Sequence, residues 1–115
     1  MKIREIAEAL HGTIICREDL ADKEVHSACG SDMMSDVLAY TKDQAVLITG
    51  LCNPQVVRTA EMIDIVCIVF VRGKRPDEET IELAKAKGIV MVATPHRMFS
   101  ACGILYTKGL ISGNL

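Results

Sequence analysis

Residues 45–49, 65–71 and 89–93 are three runs of apolar, β-prone residues, set at nearly even intervals along the second half of the chain. Between each pair lies enough sequence for one helix. That spacing describes two consecutive β-α-β units. Strands with no polar alternation must be covered on both faces, which a parallel sheet with crossover helices provides. Such crossovers are right-handed in about 98% of cases, which leaves few topologies open. The predicted fold class is therefore α/β: a single layered domain over residues 1–115, with a mainly parallel central sheet and helices on both faces.

The helix between the second and third runs carries the clearest local signals, and residues 76–87 are predicted to form it. Pro76 suits a first helical position, where the missing N–H costs nothing. Asp77, Glu78 and Glu79 crowd the positive end of the helix dipole, and Lys85 and Lys87 the negative end. Gly88 offers the left-handed stop. Asn53-Pro54 and Thr94-Pro95 read the same way, as a capping residue followed by a first-turn proline. In the first half, Ile3, Ile6, Ala7 and Leu10 recur at helical spacing, and His11-Gly12 ends that helix. Residues 13–16 form a short β-branched strand, 17–24 a charged connection and 25–29 a further short strand. Ser31 is the predicted cap of a second helix, on which Met33, Met34, Val37 and Leu38 cover a wide apolar face.

With no Trp and only two Phe and two Tyr, the core has to be aliphatic. A net charge of −2 supplies no field to attract nucleic acid or acidic lipid, so neither is an expected partner. The longest apolar run, 65–71, has strand length and cannot cross a membrane. The N-terminal stretch carries Glu5 and Glu8 and reads as an amphipathic helix, not a secretory signal. The expected location is the cytoplasm. Five cysteines, at 16, 29, 52, 67 and 102, are irregularly spaced and form no C-x-x-C. In a reducing compartment they read as small hydrophobes, with no metal or cofactor expected.

In an open parallel sheet, ligands bind beyond the carboxyl ends of the strands. Here those ends are Thr49-Gly50, Arg72-Gly73-Lys74-Arg75 and Ala93-Thr94, each leading into a helix N-terminus that favours anions. The candidate anion or phosphate contacts are Thr49, Gly50, Arg72, Gly73, Lys74, Thr94 and His96, with Ser31 and Asp32 as a further polar pair. The same residues also read as ordinary solvated loop charges, partly neutralised by Asp77 and Glu78. There is no P-loop, no G-x-G-x-x-G and no G-x-S-x-G. Cys29 or Cys52 could pair with His26 or His96, or share a metal across a dimer, but the spacing favours neither, and no catalytic residues are predicted. Met33, Met34, Met98, Phe99, Ile104, Leu105, Leu110 and Ile111 exceed what one small sheet can cover, which suggests a homodimer interface.

Four segments together resemble a DRTGG domain: G-S-D-M-M-S-D-V-L-A, L-I-T-G, R-G-K-R-P-D-E-E-T-I-E-L-A-K-A-K-G-I and A-T-P. The likeness runs from the N-terminal helix to about Gly109 and rests on the pattern, because the literal string D-R-T-G-G is absent. Such domains occur alone and as regulatory inserts in phosphate acetyltransferases and CBS-domain pyrophosphatases. They are similar in fold to the N-terminal domain of HPr kinase. In none of these settings is the module catalytic, and it tends to lie at dimer interfaces. The resemblance therefore implies a non-catalytic regulatory or sensory domain, homodimeric, binding a nucleotide or other phosphate-bearing metabolite. The alternatives are an interaction module for a partner enzyme and a cysteine-based redox or metal-binding accessory protein.

Overall fold

A computed structural model describes residues 1–41 and 44–113. Eleven elements follow in order: α1 (Ile3–Ala9), β1 (Thr13–Cys16), a 3-10 turn (Glu18–Leu20), β2 (Ser27–Gly30), α2 (Met34–Tyr40), β3 (Ala45–Thr49), α3 (Pro54–Met62), β4 (Ile65–Phe70), α4 (Glu78–Lys87), β5 (Val90–Ala93) and α5 (Met98–Thr107). They build one five-stranded sheet in the order β1-β5-β4-β3-β2. Strands β2 to β5 run parallel, and β1 closes the β5 side antiparallel. The mainly parallel α/β sheet predicted from the apolar runs is the one observed.

Every residue of β3 and β4 is buried. The reason lies on the two faces. On one, Ile3 and Ile6 of α1, the Leu10 that caps it, and Ala101 and Leu105 of α5 pack on Val46, Ile48, Val69 and Val92. On the other, Val37 of α2, Val56, Val57 and Ala60 of α3, and Ala84 of α4 pack on Leu47, Ile68, Phe70 and Met91. The register between β3 and β4 slips once: Ala45 faces Ile65, whereas Val46 faces Cys67. This bulge turns the consecutive residues Val66 and Cys67 to the same face, that of α1 and α5. At the open margin beyond β2, the Ala28 N–H donates to the Ile111 carbonyl at 2.9 Å, so the segment after α5 folds back along the edge strand.

The helix ends follow their caps. Asn53 accepts from the Gln55 N–H with Pro54 in the first turn, as its dipeptide predicts. Gly88 terminates α4 at φ 70°, a backbone region that penalises any residue with a Cβ. Pro76, however, is not the first residue of α4. Asp77 takes the capping position, its carboxylate accepting from the Thr80 N–H at 2.9 Å, and Pro76 is buried one residue before it. Two other predicted caps also fail, for a shared reason. The Ser31 hydroxyl accepts from the Met33 N–H and the Thr94 hydroxyl from the His96 N–H, so each closes a tight local turn instead. As a result α2 opens at Met34, and α5 at Met98, well past Pro95. The strand predicted at 25–29 forms at Ser27–Gly30, while Val25 joins the α1 core.

The apolar surplus divides. Met34, Leu105 and Leu110 belong to the core and Met98 and Ile104 are half-buried, whereas Met33, Phe99 and Ile111 are exposed, Phe99 at 91%. Among the described residues no helix is long and apolar enough to cross a membrane.

Candidate functional site at the carboxyl edge of the sheet

Parallel pairing puts the ends of β2, β3, β4 and β5 along one edge, and each strand leaves its polar residues there. The residues after β2 and β3 meet directly. Asp32 Oδ1 accepts from the Thr49 hydroxyl at 2.8 Å and from the Gly50 N–H at 2.7 Å. Thr49 in turn accepts from the Leu51 N–H at 3.1 Å, a third turn closed by a hydroxyl just beyond a strand. Those two donors hold the Asp32 carboxyl below the usual carboxylate range, with Arg72 and Lys74 adding weaker support. Asp32 is thus ionised at neutral pH. Its stabilising effect is present above the ordinary carboxylate pKa and fades as the pH falls through the lowered value.

Arg72 approaches from the end of β4. A methyl group on Gly50 would stand 2.7 Å from Arg72 Nη2 and 3.6 Å from Asp32 Oδ1, so the guanidinium and the carboxylate converge over a residue with no side chain. Yet the two do not form an ion pair among the described residues. Arg72 and Gly73 both adopt the left-handed backbone region, at φ 60° and 69°. For Arg72 that costs roughly 1–2 kcal/mol. Two bonds hold the turn: the Arg72 N–H donates to the His96 carbonyl and the Gly73 N–H to that of Thr94, both at 2.8 Å. The β4 and β5 ends are knitted by backbone, which leaves the Arg72 side chain free to face β3.

The edge therefore gathers Asp32, Thr49, Gly50 and Arg72, with Lys74 near enough to bear on the charge of Asp32. It does not gather the rest in the same way. Thr94 is fully buried, its hydroxyl donating to the Leu10 carbonyl at 2.7 Å. The Ser31 hydroxyl and the Gly73 N–H are spent locally. His96 turns aside, its ring centroid 5.8 Å from that of His11 and its Nε2 buried without a partner. It reaches a groove of about 580 Å³ along α5, lined also by Phe99, Gly103, Ile104 and Lys108. The proximity of His11 was not legible, because it depends on α1 packing beside α5. The Asp32–Thr49 bond was not legible either, because it requires β2 and β3 to be neighbours.

Burial pushes the thiols of Cys16, Cys52, Cys67 and Cys102 above their ordinary range, Cys67 most of all. Such thiols are poor nucleophiles and poor metal ligands. Among the described residues no three His, Cys, Asp or Glu side chains stand together as a metal site would require.

The DRTGG domain model matches residues 5–107. No curated protein matches the chain. Among solved structures, the chain is similar in fold to the CBS and DRTGG domains of the regulatory region of Clostridium perfringens pyrophosphatase, crystallised in complex with the activator diadenosine tetraphosphate. The TM-score is 0.72 at 18% identity, over 99% of this chain and 52% of that one. This chain thus spans about half the length of that structure.

Proposed function

The chain belongs to the DRTGG domain family, and from that premise we propose a non-catalytic regulatory domain that binds a nucleotide or other phosphate-bearing metabolite at the carboxyl edge of its sheet. The observation that carries the reading is the approach of Arg72 over Gly50, with Lys74 alongside, at strand ends where parallel sheets take their ligands. The Clostridium perfringens regulatory region, complexed with a dinucleotide activator, supports a ligand of this class. The working set is Asp32, Arg72 and Lys74, with the buried Thr49 and Gly50 holding the Asp32 carboxylate in place. Ser31, Gly73, Thr94 and His96 act behind it, shaping the turns. Binding is expected in a cytoplasmic setting, without nucleic acid.

A thermal-shift series with ATP, ADP and pyrophosphate tests this. A ligand at 100 times its dissociation constant stabilises the fold by about 2.7 kcal/mol. For a domain of this size the melting shift is on the order of 10 °C. Changing both Arg72 and Lys74 to Ala removes most of that shift and leaves the unliganded melt nearly unchanged, since both side chains are exposed. The proposal fails if no phosphate compound moves the melt.

The domain also acts as a homodimer in this proposal, on the strength of Phe99, Tyr106 and Ile111, which project from α5 and the segment after it. Light scattering at micromolar concentration is expected to give about twice the 12.6 kDa chain mass. A monomer would favour the other reading of the same surface, a docking face for a partner enzyme.

A further inference from the structure

The two donors best placed to receive an anion at the end of β3 are already occupied. The Thr49 hydroxyl and the Gly50 N–H both point at Asp32 Oδ1. A phosphate placed there would have to displace a carboxylate or lie against it, and like charges at close range repel. Asp32 Oδ2, by contrast, has no partner among the described residues, and Asp32 is exposed. The Arg72 guanidinium is held near Gly50 without pairing to Asp32. The edge thus offers a fixed hydrogen-bond acceptor and a bidentate cation side by side, not joined as an ion pair.

A ligand that satisfies both groups carries hydroxyl donors close to a phosphate. Inorganic phosphate and pyrophosphate satisfy only Arg72 and are repelled by Asp32. A ribonucleotide satisfies both, because its 2′- and 3′-hydroxyls can donate to the free carboxylate oxygen while its phosphates engage Arg72 and Lys74. We infer that Asp32 is the specificity-determining residue of this edge, selecting phosphate compounds that bear a ribose diol and excluding bare phosphates. The inference rests on the phosphate-binding reading of the edge and names its substrate class.

The test is calorimetric titration of ATP, 2′,3′-dideoxy-ATP and tripolyphosphate into the wild type and Asp32→Asn. Asparagine keeps an oxygen to accept from Thr49 and Gly50, so the turn survives, while the charge disappears. In the wild type, ATP is expected to bind at least about tenfold tighter than the dideoxy compound, the worth of a hydrogen bond to a charged acceptor. In Asp32→Asn that ratio shrinks towards one, and tripolyphosphate binds more tightly than it does to the wild type. Equal binding of ATP and dideoxy-ATP by the wild type overturns the inference without touching the phosphate site. So does an Asn variant that still discriminates. If none of the three compounds binds the wild type, the phosphate reading itself falls, and the inference with it.

Discussion

Replacing Phe70 by Ala is expected to cost about 3–5 kcal/mol, a large share of the 5–15 kcal/mol that holds a small domain together. Phe70 ends the central strand β4, is fully buried, and faces the layer of α3 and α4 through Val56, Val57 and Ala84. The core contains no other residue of its volume, since the remaining aromatics are the exposed Phe99, Tyr40 and Tyr106. An alanine there leaves a void that the surrounding β-branched side chains, stiff about their first torsion, cannot collapse to fill. Urea unfolding followed by circular dichroism measures the loss. Phe70→Leu keeps most of the volume and should cost less than about 1.5 kcal/mol. If Phe70→Ala loses under 1 kcal/mol, the two-layer packing described above is wrong at its centre.

Thr94→Val is the second large effect, and it separates two roles for one residue. The sequence pattern placed Thr94 among the ligand contacts, whereas its hydroxyl bonds the carbonyl of Leu10 at the end of α1 and accepts from the His96 N–H. Valine matches the shape but removes both bonds. The Leu10 carbonyl is left buried without a donor, which costs about 1–3 kcal/mol. At roughly 4–8 °C per kcal/mol, a clear drop in melting temperature follows. Thr94→Ser should recover most of it. Affinity for ATP, measured below the lowered melt, is expected to stay within about twofold of the wild type. A variant that melts normally but loses the ligand would reverse this assignment and move Thr94 to the binding surface.

How much of this could be read from residues alone depended on how far apart the interacting groups lie in sequence. The apolar runs that became β3, β4 and β5 stood out because a strand buried on both faces has nothing polar to interrupt it. Strands β1 and β2 are only partly buried, so neither shows the unbroken apolar run of a covered strand, and nothing in them names a neighbour. Their places at the two margins, and the reversed direction of β1, come only from packing. Caps were legible where one side chain had one use, as at Asn53, and misread where a hydroxyl could turn on its own backbone, as at Ser31 and Thr94. At the candidate site, a list of polar residues at strand ends put Asp32 and Thr94 on equal terms. What separates them is that the Thr94 hydroxyl points inward, to a carbonyl 84 residues earlier, while Asp32 bridges the ends of two adjacent strands.

The return of the chain after α5 bears on how this protein behaves when crowded. A sheet margin with free N–H and C=O groups is a template on which another molecule's strand can dock, and that docking can repeat into insoluble polymer. The bond from Ala28 to the Ile111 carbonyl takes up a donor at which such growth would begin. At the far margin β1 is short and its register with β5 breaks between Ile14 and Cys16, so it offers no long flat ladder either. With half of its residues hydrophobic, the chain offers a stranger only one partly covered selvage and one short, irregular selvage from which to extend its sheet.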